Sequence, residues 1–420
     1  MNTKDFIIKA KEYYNNKTDI IIKGVNTSSK EEKDPLRNAD NRIVHNFHEL
    51  LVDEKVSYMF TYPVQIDIDN NPDLNNKVKD VLGDDYTRKI KNLAIEASNC
   101  GTAWLHYWID KEGSLKYAKV DTEQIIPIYS NGLERTLTAI IRYYSCYEDV
   151  EDLDEDVLFS YIEYWNNKEF IRYKFKEGVL SGSLVDTETI KHRLEAVPFI
   201  EFANNDKKQS DLCKYKHLID LYDRVMSGFA NDLEDIQQVI YILENYGGED
   251  LGEFLGDLKR YKAIKTETGE GGGGVKTLQI EIPVEARKQM LEILKKQIYE
   301  SGQGLQQDSE SYGNASGVAL SFFYRELEIK SGLLETEFIS SIASFIKVIL
   351  KYLNISDYKK IEQTYTRNMI RNDIETSQIA QNSAGIVPRK VIIKNHPWVD
   401  DVEETMKFLN EEDKEYNYDF

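Results

Sequence analysis

The chain has 420 residues, of which 41% are hydrophobic, so it is long and apolar enough for two or three folded domains and is not a disordered protein. It carries 73 acidic against 53 basic residues, a formal net charge of -20. Because such a charge repels phosphate backbones and anionic lipid, it argues against tight nucleic-acid binding by counterion release and against adsorption to a membrane surface.

Cysteine usage and the two most apolar stretches predict a soluble, cytoplasmic protein. Cys100, Cys146 and Cys213 lie far apart and are odd in number, which favours a reducing compartment over a disulfide framework. The first residues, MNTKDFIIKAKEYY, predict a helix, since charges interrupt the apolar stretch and no small-residue cleavage site follows. The stretch FIKVILKYL contains Lys347 and Lys351 and is too short to span a bilayer.

The first half of the chain predicts a mixture of helices and antiparallel strands. Apolar residues at helical spacing within residues 41–60 predict one helix. Short runs rich in β-branched and aromatic residues follow, with turn signals between them. These runs are VQIDI, TAWLHYWI, LKYAKV, IIPIYS, LTAIIRYYSCY, LFSYIEYW and EFIRYKF. The acidic run YEDVEDLDEDVL, residues 147–158, is interpreted as a solvated loop between two of these strands.

The pattern becomes helical at Asp211 and continues to a stop signal at Gly247 and Gly248. Residues 258–282 then predict two strands joined by a glycine-rich tip. Pro283 stands at the start of a further amphipathic helix, which is expected to end near Gln303.

The longest predicted helix follows the polar segment SGQGLQQDSESYGNAS. It runs from about Gly317 to Leu353, roughly 55 Å at 1.5 Å per residue, within residues 284–387, which contain no proline. Its apolar positions form a broad stripe, so the helix is expected to pack along most of its length. Two or three short helices around a turn at Asn382 to Pro388 are expected after it.

No stretch of the sequence carries a catalytic or metal-binding motif. Gly269 and Gly274 have the spacing of a phosphate-binding loop, but Val275 precedes Lys276 and a strand-like stretch follows where a helix must begin. The stretch DIDNNPD resembles a calcium loop, but Pro72 occupies the position of the required glycine. The histidines lack the spacing of a zinc-binding helix pair. We therefore expect no metal, no cofactor and no catalytic residue.

Four stretches, taken in order, resemble the portal proteins of tailed bacteriophages, in particular the SPP1-like portal family. They are NADNRIVHNFHELLVDEKVSYMFTYPV, ASNCGTAWLHYWIDKEGSLKYAKVDTEQIIPIYS, the helical stretch from Leu218 to Gly248, and GNASGVALSFFYRELEIKSGLLETEF. Each motif is weak by itself, and their order and spacing over most of the chain carry the resemblance.

The resemblance implies an α+β portal fold that assembles into a ring oligomer, usually a dodecamer. Such a subunit has a mixed α/β wing, a helical stem, a small β-containing clip, a tunnel loop, a long wing helix and a short helical crown. The implied boundaries are 1–210 for the wing, 211–247 for a wing/stem helix, 248–282 for the clip, 283–302 for the second stem helix, 303–316 for the tunnel loop, 317–365 for the long wing helix and return strand, and 366–420 for the crown.

The resemblance also implies a function and a set of partners. A portal ring occupies one vertex of the phage head, and double-stranded DNA is packaged and ejected through its channel. The implied partners are further copies of the chain, the terminase, the head-tail adaptor, and the major capsid and scaffolding proteins. Such a protein is a virion component, is present in the host cytoplasm during assembly, and is not an enzyme, because the terminase supplies the ATPase.

Three groups of residues follow as candidate sites. Polar side chains of the tunnel loop are expected to face the moving duplex, namely Gln303, Gln306, Gln307, Asp308, Ser309, Ser311 and Asn314. Basic residues of the second stem helix either contact phosphates without base specificity or pair with neighbouring acids, namely Arg287, Lys288, Lys295 and Lys296. Basic residues of the clip are expected to dock the terminase and the adaptor, namely Lys259, Arg260, Lys262, Lys265 and Lys276.

Two other interpretations stay open on the sequence alone. One is an acidic cytoplasmic oligomeric scaffold, and the other is an enzyme whose site has no recognisable motif. The acidic balance suits a conduit better than a tight binder, because DNA that must slide through needs weak contacts at every phosphate.

Overall fold

The computed structural model describes residues 3–23, 39–149, 156–176, 182–192, 194–235, 240–244, 274–278, 283–305, 317–369, 373–394, 399 and 402–416. The chain divides into two compact units. Unit 1 combines Met1–Lys11, His48–Lys214 and Gly302–Phe420, and unit 2 combines Glu12–Phe47 and Tyr215–Ser301.

Helices and strands alternate irregularly along the described residues, which gives a mixed α/β chain. The helices are α1 (Thr3–Tyr14), α2 (Ile20–Lys23), α3 (Phe47–Phe60), α4 (Pro72–Leu82), α5 (Tyr86–Cys100), α6 (Lys216–Asp235), α7 (Val284–Gly302), α8 (Gly317–Tyr352), α9 (Asp373–Asn382), α10 (Arg389–Lys394) and α11 (Val402–Tyr416). The strands are β1 (Gln65–Ile68), β2 (Thr102–Ile109), β3 (Leu115–Val120), β4 (Ile125–Tyr129), β5 (Leu137–Glu148), β6 (Val157–Trp165), β7 (Glu169–Lys176), β8 (Ser183–Lys191), β9 (Phe199–Ala203), β10 (Ile240–Glu244), β11 (Gly274–Leu278) and β12 (Ile361–Thr364).

Unit 1 contains three antiparallel sheets. The largest has the strand order β4-β5-β6-β7-β8, a second has the order β3-β2-β9, and β1 pairs with β12. Trp104 of β2 joins Ile140, Trp165 and Phe170 of the largest sheet in one buried apolar cluster. The rings of Trp165 and Phe170 stack with their centroids 4.1 Å apart. This cluster connects the two larger sheets into one core.

The 36-residue helix α8 is the longest element of unit 1 and packs one side into its core. The ring of Phe338 lies 5.5 Å from that of Phe60 in α3 and 5.0 Å from that of Phe202 in β9. Phe345 lies 4.7 Å from Tyr117 of β3. Each such fully buried side chain contributes about 1.5–3 kcal/mol, so α8 connects α3 with the three-stranded sheet.

Unit 2 is organised around α6, whose polar side chains hold the N-terminal segment. The carboxylate of Asp223, which has no exposed surface, accepts a hydrogen bond from Thr18 Oγ1 at 2.5 Å and lies 2.8 Å from His45 Nδ1. The side chain of Asn231 accepts a hydrogen bond from the backbone N–H of Asn41, and Ser227 accepts one from Ile43. The residues just before α3 are therefore held against α6.

Most predicted elements are confirmed. The seven predicted strand runs correspond to β1 to β7, the long helix spans Gly317–Tyr352, and α9 to α11 supply the short C-terminal helices around residues 383–388. The predicted helix within residues 41–60 begins only at Phe47. Strands β8 and β9 and the helices α4 and α5 have no counterpart in the predictions.

The predicted helix from Asp211 to Gly247 is wrong in its last part. The helix ends at Asp235, and Ile240–Glu244 form a strand that pairs with Gly274–Leu278. The apolar run in this stretch is short and rich in β-branched and aromatic residues, which helical and strand periodicity describe equally well. The glycine-rich tip and the first predicted strand of residues 258–282 lie outside the described residues. The observed partner of the second strand is β10.

Gly101, the C-cap residue of α5, provides a test of how closely the chain packs at the end of this helix. Its φ is +87°, and a Cβ atom there would overlap the backbone carbonyl oxygen of Lys208. We expect Gly101→Ala to destabilise the chain by about 3 kcal/mol, from backbone strain together with the overlap. Gly113→Ala is the matched control, because Gly113 has a φ of +85° but open space around it.

Urea denaturation of both variants checks this expectation. The midpoint of Gly101→Ala should fall well below that of Gly113→Ala, which carries only the strain of about 1–2 kcal/mol. Equal midpoints would show that the close approach of the Lys208 backbone contributes nothing.

Candidate functional site

The structure describes only some of the predicted site residues. The side chains of Gln303 and of the four basic residues of α7 are described. For Lys276 the structure gives the backbone position, which is in β11 opposite Ile242. The other predicted residues lie outside the described residues, namely Gln306, Gln307, Asp308, Ser309, Ser311, Asn314, Lys259, Arg260, Lys262 and Lys265. Gln303 belongs to unit 1 and the basic residues of α7 belong to unit 2.

Two of the four basic residues of α7 have acidic neighbours. The guanidinium of Arg287 forms an ion pair with Asp232 of α6 and lies 5.5 Å from the ring centroid of Phe229. Lys296 lies 3.7 Å from Glu300, one turn further along the same helix. Arg287 therefore has a packing role between α6 and α7 within unit 2.

Lys288 and Lys295 differ from these two. Both are exposed, and they are seven residues apart on α7, so they lie on the same side of the helix. Among the described residues neither has a carboxylate within ion-pairing distance. They form a pair of solvated cations that can contact a passing anion without first breaking an ion pair.

The residues at the start of the 303–316 segment are held closely by unit 1. We call residues 302–305 the loop root. Gln303 adopts a left-handed conformation with φ 53°, and its side-chain carbonyl accepts a hydrogen bond from Lys214 Nζ at 3.1 Å. The backbone N–H of Leu305 donates to Glu54 Oε2 of α3 at 3.0 Å. Both ends of the loop root are thus attached to side chains of unit 1.

A buried charge cluster lies beside the loop root. Lys330 of α8 donates from Nζ to the carbonyl oxygen of Gly302 at 2.8 Å and lies 3.3 Å from Asp211 Oδ2. Lys55 of α3 donates to the same Asp211 oxygen at 2.6 Å and to Asn204 Oδ1 at 2.8 Å. Asn204 in turn donates to Asp211 Oδ1 at 2.9 Å. One carboxylate therefore joins α3, α8 and the residues after β9.

Burial and charge act in opposite directions in this cluster. Burial alone would raise the pKa of Asp211, but the ammonium groups of Lys330 and Lys55 outweigh it and hold that pKa well below its usual range. Burial lowers the pKa of Lys55 to about 8, in spite of the neighbouring carboxylate, and it also lowers the pKa of Lys330. At neutral pH the carboxylate is ionised, so the hydrogen bonds that it accepts are charge-assisted.

This cluster was not predicted, although the sequence of α8 contains one signal of it. Lys330 and Ser331 stand between Leu327 and Leu334 on the side of α8 that is otherwise apolar, and all four side chains are buried. A lysine within an apolar stripe indicates a buried partner, because an unpaired buried ammonium is very costly. The partners, Asp211 and Gly302, are distant in sequence and could not be identified from spacing.

The described part of the chain shows neither a metal-binding group of side chains nor a membrane-spanning helix. Within it, no group of three or more histidine, cysteine or carboxylate side chains is arranged to hold a metal ion. None of the helices among these residues has the length and apolarity to cross a membrane.

Three comparisons relate the chain to known proteins. The family model described as "Phage portal protein, SPP1 Gp6-like" matches residues 2–418. The portal protein of Clostridium phage phiCD119 is 64% identical over 418 residues, which cover 97% of this chain and 92% of that protein. The portal protein of Bacillus phage SPP1 is 30% identical over 396 residues, which cover 90% of this chain and 77% of that protein.

Among solved structures, the chain is similar to components of the necks of GTA particles. A chain from the neck of an empty GTA particle, computed with C6 symmetry, gives a TM-score of 0.49 at 10% identity and covers 81% of this chain and 86% of that one. A chain from the neck of a native GTA particle, computed with C12 symmetry, gives 0.46 at 11% identity, with coverages of 82% and 86%.

His48, at the start of α3, makes the stability of unit 1 depend on pH. Burial lowers the pKa of its imidazole to about 3, so the folded chain keeps His48 neutral while the unfolded chain protonates it near pH 6.5. Between pH 6.5 and 3 the unfolded state binds the extra proton, so stability falls as the pH falls, by at most about 1.4 kcal/mol per pH unit.

We expect the free energy of unfolding of His48→Gln to change less with pH than that of the parent chain. The difference in slope should be at most that of one bound proton, about 1.4 kcal/mol per pH unit. The denaturant midpoint of the variant, measured from pH 6.5 to pH 4.5, should depend less on pH than that of the parent chain. If His48→Gln retains the parental slope, the buried imidazole is not the group that titrates.

Proposed function

Since the chain belongs to the SPP1 Gp6-like family of phage portal proteins, we propose that it forms a ring through which double-stranded DNA enters and later leaves a phage head. The observation that carries this proposal is the identity of 64% with a phage portal protein over almost the full length of both chains. The protein is accordingly a structural component of a virion, made and assembled in the host cytoplasm.

An exposed apolar face of α8 supports ring formation. Phe322, Ile329 and Leu333 are 68%, 47% and 51% exposed, and their spacing of seven and four residues places them on one side of the helix. Large apolar side chains grouped in this way favour contact with another protein surface. In a ring with head-to-tail contacts, each subunit covers this face of the next one, and closure of the ring leaves no copy uncovered. A dodecamer is the proposed stoichiometry.

We assign the channel surface to the 303–316 segment and to α7. The segment contains Asp308 and Glu310 and no lysine or arginine, so it repels phosphates weakly and cannot bind them firmly. Lys288 and Lys295 are the cations of α7 that have no carboxylate partner among the described residues. The 303–316 segment and these two lysines together suit a surface that contacts a duplex at many points without binding it firmly at any of them.

The remaining partners are proposed from family membership and charge. Residues 248–282, with Lys276 in β11 and four further basic residues before it, form the proposed docking surface for the terminase and then for the head-tail adaptor. Contacts with major capsid and scaffolding proteins complete the assembly. We propose no catalytic role for the chain, and ATP hydrolysis during packaging is assigned to the terminase.

Deletion of residues 306–314 tests the channel role of the segment. The deletion leaves the loop root and the start of α8 in place, so heads should assemble with the ring at its vertex while DNA packaging or retention fails. Nuclease-protected DNA per head measures the outcome. Replacement of the same residues by a Gly/Ser stretch of equal length should restore packaging. Normal amounts of protected DNA in the deletion variant would show that the segment has no role in the channel.

The two solvated lysines of α7 give a second prediction. In Lys288→Gln/Lys295→Gln rings, the affinity for a short DNA duplex should depend less on salt, and the logarithmic slope should fall by about one unit for each phosphate that the ring ceases to bind. Lys296→Gln serves as the control, since that ammonium lies near Glu300, and it should change the slope less. An unchanged salt dependence in the double variant would exclude these lysines from DNA contact.

A further inference from the structure

The loop root is attached to α8 by one buried side chain. We propose that Lys330 is a positioning residue that fixes the loop root, at the near end of the 303–316 segment, to α8. The contribution of this attachment to DNA passage rests on the proposed function, whereas the attachment itself does not.

Lys330 satisfies a carbonyl group that the helix cannot satisfy. Gly302 is the last residue of α7, and the carbonyl groups of a final helical turn have no partner within their own helix. The Lys330 ammonium donates to this oxygen at 2.8 Å, and its side chain is 3% exposed. A cation at the carbonyl end of a helix is also favoured by the helix dipole.

The other side of the loop root is fixed by α3. A Cβ atom on Gly302 would lie 2.6 Å from Leu51 Cδ1, so a larger residue at this position would require the Leu51 side chain to shift. Glu54, one turn further along α3, accepts the hydrogen bond from the Leu305 N–H. The loop root is therefore held between α3 and Lys330.

The charges of the cluster make release of the loop root costly. Lys55 and Lys330 pair with Asp211, Glu54 also lies near Lys330, and Lys214 is a third cation close to both lysines. If the loop root moved away, Lys330 would keep a buried ammonium with one hydrogen-bond partner fewer, and the Gly302 carbonyl would be left without its donor. Movement of the loop root together with α8 avoids both costs.

Residues on both sides of the 303–316 segment are therefore connected to α8. The far end continues directly into α8 at Gly317, and the near end is held to α8 through Lys330.

Lys55 provides a matched control for Lys330. Both lysines are almost fully buried and both pair with Asp211, but only Lys330 reaches the Gly302 carbonyl. Lys330→Met keeps the apolar stem and leaves Asp211 with Lys55 and Asn204 as partners. Lys55→Met removes an equivalent buried charge and leaves the bond between Lys330 and Gly302 intact.

Hydrogen–deuterium exchange of the assembled full-length protein tests the proposal. In Lys330→Met, the amides of residues 303–305 should exchange about tenfold faster, as expected for removal of one hydrogen bond to a charged group. In Lys55→Met, exchange should rise in α3 and near Asp211, but not at the loop root. If Lys330→Met does not fold, Lys330→Gln, whose side chain is one atom shorter and carries no charge, provides the same test with a smaller expected rise.

Two results would overturn the proposal: unchanged exchange of residues 303–305 on replacement of Lys330, or an equal rise on replacement of Lys55. DNA retention in Lys330→Met particles separates this proposal from the proposed function. Faster exchange with reduced DNA retention supports both. Faster exchange with normal packaging and retention supports the attachment and contradicts the channel role of the segment.

Discussion

The structure of unit 1 depends on one buried carboxylate, that of Asp211. An ionised group with so little exposure is tolerated only if its neighbours replace the water that it has lost, and here two lysines and an asparagine do so. Because these partners come from α3, α8 and the end of β9, the carboxylate fixes three elements relative to one another. Lys330 extends the arrangement to Gly302, so the position of the loop root follows from the core of the unit.

Helix α8 combines this internal role with an external one. Its buried side packs Phe338 and Phe345 against α3 and the three-stranded sheet, whereas Phe322, Ile329 and Leu333 remain exposed on another side. A helix that is apolar beyond what its own chain can cover is expected in a subunit of a closed ring. The net charge of -20 and the absence of basic residues from the 303–316 segment complement this geometry, because a conduit for DNA must attract the duplex weakly.

Much of the fold could be predicted from the sequence, since strong periodicity survives tertiary packing. The alternating runs of β2 and β6 and the proline-free stretch of α8 predict their elements almost to the residue. A short apolar run does not by itself distinguish a strand from a helix. Residues 240–244 are an example, because the strand with which they pair, residues 274–278, lies beyond the glycine-rich stretch. The resemblance in the order of motifs identified the family correctly.

The site itself was only partly predictable. Composition and spacing could not distinguish Arg287, which pairs with Asp232, from Lys288 and Lys295, because the partner lies on a different helix. The charge cluster could not be predicted either, because its residues are distant in sequence. Lys55 and Asp211, for example, are 156 positions apart. Tertiary structure is needed wherever the chemistry depends on which charges meet.

The central claim, that the chain forms a ring whose 303–316 segments face the channel, is tested most directly by electron cryomicroscopy of the assembled protein. We predict closed rings with an aperture wide enough for a DNA duplex and with these segments around it; rings that carry the segments on their outer surface, or an assembly without an aperture, would contradict the account.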